Sequence, residues 1–371
     1  MRFLIIDTDY PWFLNSLYGK RRGLEKESYE KQLEVREKSF FACGLSYCNN
    51  LRKLGHEAHQ IFFNNEHMQT TWAREHGVKV ERHWQFRMRR GVVPWISYLK
   101  GPNWPYNVLT EQIKYYKPDV VLNNCLRLRT DYFRETKELV RLLIGSHGSP
   151  VPERRDFQVY DLMLCVVENL VDYFRQAGVN SDLLRLGFEP MVLERLNGQK
   201  PSSIQVSFVG QITQDHASRQ RWLEYICERV PVEVWSPSTD GLDHSPHVSR
   251  SRRGTAWGLK MYEILSQSML TLNHHIDMAD VYAGNSRLFE ATGVGTLLVT
   301  DSKKNLHEMF EPGKEVLAYR SADECVEMVQ YYLEHDQERE AIARAGQQRT
   351  LREHTFYQRM QQLTDTVRKY V

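Results

Sequence analysis

Short apolar runs alternate with longer amphipathic stretches along most of the chain. "RFLIIDT", near the start, is apolar throughout and of strand length. Residues 28 to 54 read as one long helical pattern ending in "KLGHE", where Gly55 is the stop signal. "AHQIFF" is the next strand, "NEHMQTTWAREHG" a helix closed by Gly77, and "VLTEQIKYYKPD" a helix stopped before Pro118. "VVLNNC", "RLLIGSHG" and "LMLCVV" continue the strands, followed by the helix "NLVDYFRQAG". Uniformly apolar strands separated by helices predict a parallel sheet covered on both faces.

The second half repeats the plan. "SIQVSFVG", "VEVWS", "MLTLNHH", "GTLLVTD" and "EVLAYR" read as strands. The helices between and after them are "ASRQRWLEYICERV", "LKMYEILSQS", "NSRLFEATG" and "ADECVEMVQYYLEHD", the last with Ser321 and Glu324 at capping-box spacing. The polar "ERLNGQKPSS", with Gly198 and Pro201, separates the halves. The expected organisation is an α/β domain over residues 1–187, a linker over 188–202, a second α/β domain over 203–355 and a final helix over 356–371. That helix has no place in the second domain's pattern and is free to cross back to the first. A length of 371 residues suits two domains, because single cores rarely grow past roughly 250–300 residues. Two doubly wound domains form a cleft between their strand carboxyl ends, where such sheets bind ligands.

Composition narrows the function classes. A formal net charge of +2 gives no global signature of nucleic-acid binding. The six cysteines are scattered without a Cys-x-x-Cys pair, as expected of free thiols in the cytoplasm. No apolar run approaches the roughly 20 residues of a membrane span. "MRFLIIDTDY" turns acidic too early for a signal peptide.

Candidate chemistry gathers at the strand ends. "VSFVGQITQDHASRQRW" runs from a strand through Gly210 into a helix whose first turn carries His216 and Arg219. Glycine allows close backbone approach and a helix start favours an anion, although a plain strand–loop–helix connection explains the stretch equally well. No G-x-G-x-x-G is present, which weakens a nicotinamide or flavin reading. Lys260 and Tyr262 flank the core-spaced Met261, Leu265 and Met269. Asn273, His274 and His275 end a strand, where adjacent histidines face opposite sides and make poor joint metal ligands. The second domain holds no Asp-x-Asp pair, so neither a metal nor a cofactor is expected. In "NSRLFEATGVG", Asn285 and Arg287 stand where a diphosphate would dock, and Glu290, one turn on, suits a ribose diol. Gly293 and Gly295 let the turn pass close by. The competing reading is an intrahelical Arg287–Glu290 pair worth a few tenths of a kcal/mol.

"NSRLFEATGVGTLLVTD", taken with "VSFVGQ…H..R", "WGLKMYEIL..S…LN" and "R….R…H.FYQRMQQL", resembles the C-terminal signature of GT-B glycosyltransferases. The resemblance is closest to the CgeB-like (spore-maturation-type) branch, and to the glycosyltransferase group 1-like C-terminal domain more broadly. It covers about residue 203 to the end; the first domain matches only in general plan. It implies two Rossmann-like domains, with an activated sugar donor held by the second. Glu290 would bind the ribose, Gly210, Lys260 and Arg287 would face the diphosphate, and Gly295 would line the turn. Related retaining enzymes carry a second glutamate eight positions earlier; here that position is Tyr282, which leaves donor sugar and stereochemistry open. His216, Arg219, Lys260 and Arg287 also suit a phosphoribosyl diphosphate-type donor. The same fold and ligand would equally serve a non-catalytic sugar-nucleotide-binding module or a sugar-nucleotide epimerase.

The first domain is then expected to hold the acceptor, a hydroxyl of a glycan or glycolipid. Asp7, Asp9 and Tyr10 follow the first strand, and His147 ends another. Asp9 and His147 are the candidate bases; a loop cap and a turn histidine are the purely structural roles open to them. Tyr10 and Trp12, beside Phe13, are candidates for stacking on the acceptor. "KRRG" at 20–23 and "RHWQFRMRRG" at 82–91, the latter with Trp84 and Phe86, suit an anionic acceptor or the inner membrane face, or are simply solvated charge. The reading is a cytoplasmic, metal-independent glycosyltransferase of polysaccharide assembly.

Overall fold

The computed structural model describes residues 1–41, 44–89, 93–148, 151, 156–196, 203–213, 217–237 and 244–371; side chains at 44–45, 83–89 and 93–99 are left aside. His216 and residues 197–202 of the expected linker lie outside the described residues.

Among the described residues, fourteen strands form three sheets. β1 (Arg2–Asp7), β2 (Glu57–Phe62), β5 (Val120–Asn123), β6 (Leu142–His147), β7 (Leu162–Cys165) and β8 (Ser181–Leu183) make the first, in the order β2-β1-β5-β6-β7-β8. β9 (Ile204–Val209), β10 (Val232–Trp235), β11 (Arg252–Gly254), β12 (Ser268–Leu272), β13 (Leu297–Asp301) and β14 (Leu317–Tyr319) make the second, in the order β11-β10-β9-β12-β13-β14. All pairings in both are parallel. β3 (Arg82–Arg89) and β4 (Val93–Lys100) form a separate antiparallel hairpin.

Burial explains these elements. β1, β5 and β7 are apolar because both faces are covered. The helix Ala217–Arg229 buries Arg219, Trp222, Leu223 and Ile226, one stripe at helical spacing. One expectation needs correcting. The pattern over residues 28 to 54 is two helices, Tyr29–Glu37 and Gly44–Lys53, because Phe40 takes a left-handed φ of 53° that no α-helix accommodates. The cluster at 82–91, to which no element was assigned, is largely strand β3.

In each sheet the strand order reverses once, between β1 and β5 and between β9 and β12. Connections diverge there and leave a crevice beyond the strand ends. The final helix, Phe356–Val367, packs Phe356, Met360, Leu363 and Val367 into the first domain's core beside Tyr47, Cys48 and Leu51. The five described cysteines are free thiols. Among the described residues, no helix is long and apolar enough to cross a membrane.

Candidate active site

The two crevices meet between the domains and make two adjoining chambers. The first has a volume of about 430 Å³ and is lined by Gly210, Arg219, Asn285, Arg287 and Glu290 of the second domain and by Tyr10, Trp12 and Phe41 of the first. Arg287 opens the helix Arg287–Gly293. Its Nη2 donates to the Val209 carbonyl at 2.8 Å, and its Nη1 lies 3.0 Å from Glu290 Oε2. The intrahelical pair therefore forms, yet it forms in the chamber wall. Arg287 Nε and Nη1 and Glu290 Oε2 are buried and make no hydrogen bond. Buried polar atoms are costly to leave unmatched, so a ligand with hydroxyl and phosphate oxygens would satisfy what the protein does not.

Neighbouring side chains are held more fully. Asn285 Nδ2 donates to Asn273 Oδ1 at 2.7 Å, and Asn273 Nδ2 donates to Thr300 Oγ1 at 2.9 Å. Arg219 donates to the carbonyls of His274 and Gln211, each at 2.9 Å. Burial lowers its pKa to about 10, against the pull of Asp301, Tyr319 and Asp277, so it is still a cation at neutral pH. At Gly210 a Cβ would approach the Phe208 ring to 3.1 Å, so the bare backbone keeps the turn clear.

Several expected residues lie elsewhere. Lys260 does not line the chamber: its side chain is 63% exposed and its Nζ sits 3.3 Å from Glu263 Oε2. The helix Leu259–Ser266 turns Met261, Ile264 and Leu265 inward, which leaves Lys260 on the solvent face. Gly295 is also off the walls. It follows the helix Arg287–Gly293 with φ of 83°, and a Cβ there would stand 3.1 Å from the Gln347 amide, a helix-end glycine rather than a ligand contact.

Asp9 is claimed by an arginine. Arg36 Nη2 and Nε lie 2.6 and 3.3 Å from its two carboxylate oxygens, with the Asp9 side chain fully enclosed. Arg36 Nη1 also donates to the Phe41 carbonyl at 2.8 Å, and its guanidinium lies 3.9 Å from the centroid of the Phe62 ring. A carboxylate used this way fixes the turn at Tyr10 and the start of the helix Pro11–Gly19 that carries Trp12, and has no room to take an acceptor proton. Tyr10 and Trp12 in turn line the first chamber. They stack at 5.3 Å, and Trp12 meets Trp257 of the second domain at 4.0 Å between centroids.

The second chamber, about 390 Å³, is lined by Asp7, Asn124 and His147 from the first domain and by His275, Gly284, Asn285 and Ser286 from the second. Asn285 and Ser286 line both chambers. His147 ends β6 here. Asp7 ends β1; burial raises its carboxyl pKa, opposed by Arg36 and by hydrogen bonds from Gln60 and Asn124. Asp7 and Asp9, in the first domain, have Asp-x-Asp spacing. Yet Asp9 is neutralised by Arg36, and the described residues contain no cluster of three or more metal-ligating side chains. Sequence reasoning missed the buried pair at the ends of β12 and β13, where His275 Nδ1 lies 2.6 Å from Asp301 Oδ1.

The family described as glycosyl transferase-like matches residues 216–365. The pneumococcal O-GlcNAc transferase GtfA, in complex with UDP and GlcNAc, superposes with a TM-score of 0.59 at 10% identity, over 100% of this chain and 99% of its own. The fold is GT-B. Anabaena HepE in complex with UDP gives a TM-score of 0.59 at 13% identity over 100% of both chains. Sucrose-phosphate synthase from Thermosynechococcus elongatus gives 0.55 at 10% identity, over 100% of this chain and 98% of its own. No curated protein matches in sequence. At such identities the GT-B likeness is one of architecture, with the glycosyl transferase-like match covering most of the second domain and most of the final helix.

Proposed function

We propose that this chain is a glycosyltransferase that takes its sugar from a nucleoside diphosphate donor and passes it to a hydroxyl of a glycan or glycolipid without a divalent metal. The observation that carries this reading is the Arg287–Glu290 pair, built into a chamber wall with three buried polar atoms lacking hydrogen bonds. The nucleotide occupies the first chamber. Glu290 accepts from the ribose hydroxyls, and Arg287, supported by Arg219, faces the diphosphate. GtfA and HepE, each described in complex with UDP, support this class of donor. The CgeB-like branch rests on the Asn-x-Arg-x-Phe-Glu signature at 285–290.

The sugar then reaches past Asn285 and Ser286 into the second chamber, where the acceptor meets it. His147 takes the acceptor proton, the acceptor oxygen bonds to the anomeric carbon, and the bond from that carbon to phosphate breaks with its electron pair on the departing diphosphate. Cationic side chains held in place before the reaction stabilise that charge without reorganisation. Tyr282, in place of the second glutamate, removes one sugar contact and leaves donor sugar choice to the second chamber.

A thermal-shift panel of nucleotide sugars tests the donor class, since ligand occupancy raises the melting point. One nucleotide-sugar family is expected to stabilise the chain, and a flat panel would defeat the proposal. Transfer is expected to persist in excess chelator; complete loss restored by magnesium or manganese would reverse the metal-independent part. His147→Ala is expected to lower turnover about 10²–10⁴-fold, the usual contribution of a positioned base, with donor binding intact. Near-normal turnover would remove His147 from the mechanism.

A further inference from the structure

We propose that His275, oriented by Asp301, is a catalytic residue that receives the departing phosphate. This rests on the nucleotide-donor reading above and adds a group to it. His275 follows β12 and Asp301 ends β13, so both stand at the carboxyl edge of the second sheet, on the donor domain. His275 lines the second chamber. Its side chain is 1% exposed, and its Nδ1 lies 2.6 Å from Asp301 Oδ1. Its backbone N–H also donates to the same carboxylate, at 3.1 Å to Oδ1. Two contacts to one carboxylate fix the ring's position and leave the other ring nitrogen, Nε2, as the working end. Nε2 is buried and has no hydrogen-bond partner among the described residues.

A purely structural histidine at this depth would be expected to satisfy both nitrogens. Here one end is anchored and the other is left open in the wall of a chamber. The chemistry that fits is an anion. With Nδ1 held against Asp301, the ring presents its Nε2–H to a phosphate oxygen. Asp301 is itself well anchored. Burial alone would raise its carboxyl pKa, but His275, His274 and Lys303 hold it below the usual range. Lys303 Nζ lies 3.3 Å from Asp301 Oδ2. The carboxylate therefore remains an anion when the chamber fills.

The location assigns the role. Asn285 and Ser286 form the boundary between the nucleotide chamber and the chamber holding His275. The phosphate that bears the sugar must cross that boundary. As the bond from the anomeric carbon to the phosphate oxygen breaks, its electron pair stays on that oxygen. Nε2–H of His275 hydrogen-bonds to the oxygen and gives up its proton as charge develops. The acceptor's proton leaves separately, to His147. Whichever face the acceptor attacks, the same oxygen departs, so the role holds for inversion and for retention.

The test compares UDP with UMP, because only UDP carries the phosphate that reaches the boundary. Wild-type protein and the His275→Ala, His275→Gln and Asp301→Asn variants are titrated with each nucleotide by calorimetry, beside melting curves. His275→Ala is expected to weaken UDP about ten- to a hundredfold, as for loss of a charge-assisted hydrogen bond, and to leave UMP within about twofold. His275→Gln keeps an N–H donor and should fall between. Asp301→Asn, changed at a positioning residue, should also lose UDP selectively. Turnover should fall in both transfer and donor hydrolysis, since both break the same bond. Equal loss of UDP and UMP, or no loss of either, would overturn the inference. So would loss of transfer alone with UDP affinity kept. If wild-type protein binds neither UDP nor GDP, the nucleotide-donor reading itself has failed. If wild type binds and the folded Gln variant binds UDP just as well, only the role of His275 has failed.

Discussion

Two of the seams along which the domains touch are built differently. The seam at the back is covalent chain and buried contact. Phe188 N–H donates to the His354 carbonyl at 2.8 Å, and Phe356 N–H donates to the Phe188 carbonyl at 2.9 Å. Arg359 Nε reaches the Leu186 carbonyl at 2.8 Å, and Arg185 bridges Glu168 and Glu308 at 2.5 and 2.6 Å. Glycines admit the close approach: a Cβ at Gly293 would lie 2.4 Å from the Phe188 ring. The seam at the front, across the first chamber's mouth, is thinner. Trp12 meets Trp257, and Leu259 N–H donates to the Ser39 carbonyl at 3.1 Å. The back seam shares a core and must unfold to part. The front seam rests on Trp257 against the Phe13–Phe41 cluster, on Phe40 against the second domain's core and on few hydrogen bonds, and it closes the mouth by which a nucleotide would enter.

The largest expected effect breaks the back seam. Met360→Ala should cost about 2–5 kcal/mol, the usual range for truncation in a packed core, read as a lower denaturant midpoint. A loss below about 0.5 kcal/mol, the level of a surface substitution, would mean that the final helix is not part of the first domain's core.

Acid should attack the same seam. Burial lowers the His354 pKa to about 4. Its backbone bond to Met309 opposes the shift, and Arg359 and Arg349 add to it. In the unfolded chain the imidazole titrates near 6.5, so between there and about 4 the unfolded state binds the extra proton. Stability is then fully present above about 6.5 and declines as the pH falls toward 4, by up to about 3 kcal/mol. Melting curves of wild type and His354→Gln across that window check it. Equal slopes would remove His354 as the cause.

Glu290→Gln sharpens the comparison from the chamber between the seams. It should weaken the bound nucleotide about ten- to a hundredfold, or roughly 1.5–3 kcal/mol, with the melting point of the empty protein little changed. Unchanged affinity with a lowered melting point would make the Arg287 pair structural and remove the donor site drawn around it. The smallest effect should come at the front: Trp257→Ala is expected to cost about 1 kcal/mol of stability while speeding nucleotide release. A large loss of stability there would show that the mouth is no weaker than the back.

Much of this was legible in sequence because it is local. Apolar strand runs, helix stops and Gly210 announce the two sheets and their ends without reference to distant residues. The errors concern partners far along the chain or the direction of a side chain. Asp9 and Asp7 differ by two positions, and only Arg36, 27 residues from Asp9, decides that Asp9 is occupied. Lys260 belonged to the right helix but to its outer face. Tyr10 and Trp12 were placed with the acceptor because nothing local reveals Trp257 opposite them. The β3–β4 hairpin did leave a signal: Trp84, Phe86 and Met88 alternate with polar residues at a period of two, and the charge of the stretch drew attention from it. His275 and Asp301 are 26 residues apart, and only pairing of β12 with β13 brings them together.

The return of the Phe356–Val367 helix to the first domain also sets an order of events during synthesis. Domains usually fold as they emerge, the earlier before the later. Here Met360, Leu363 and Val367, which complete the first domain's core, are made after every strand of the second sheet. The first domain must wait, with Tyr47, Cys48 and Leu51 uncovered, until its neighbour has been translated. Cutting the gene at the linker would therefore yield a first half that exposes this surface and aggregates, whereas adding the final helix back in trans should restore its solubility.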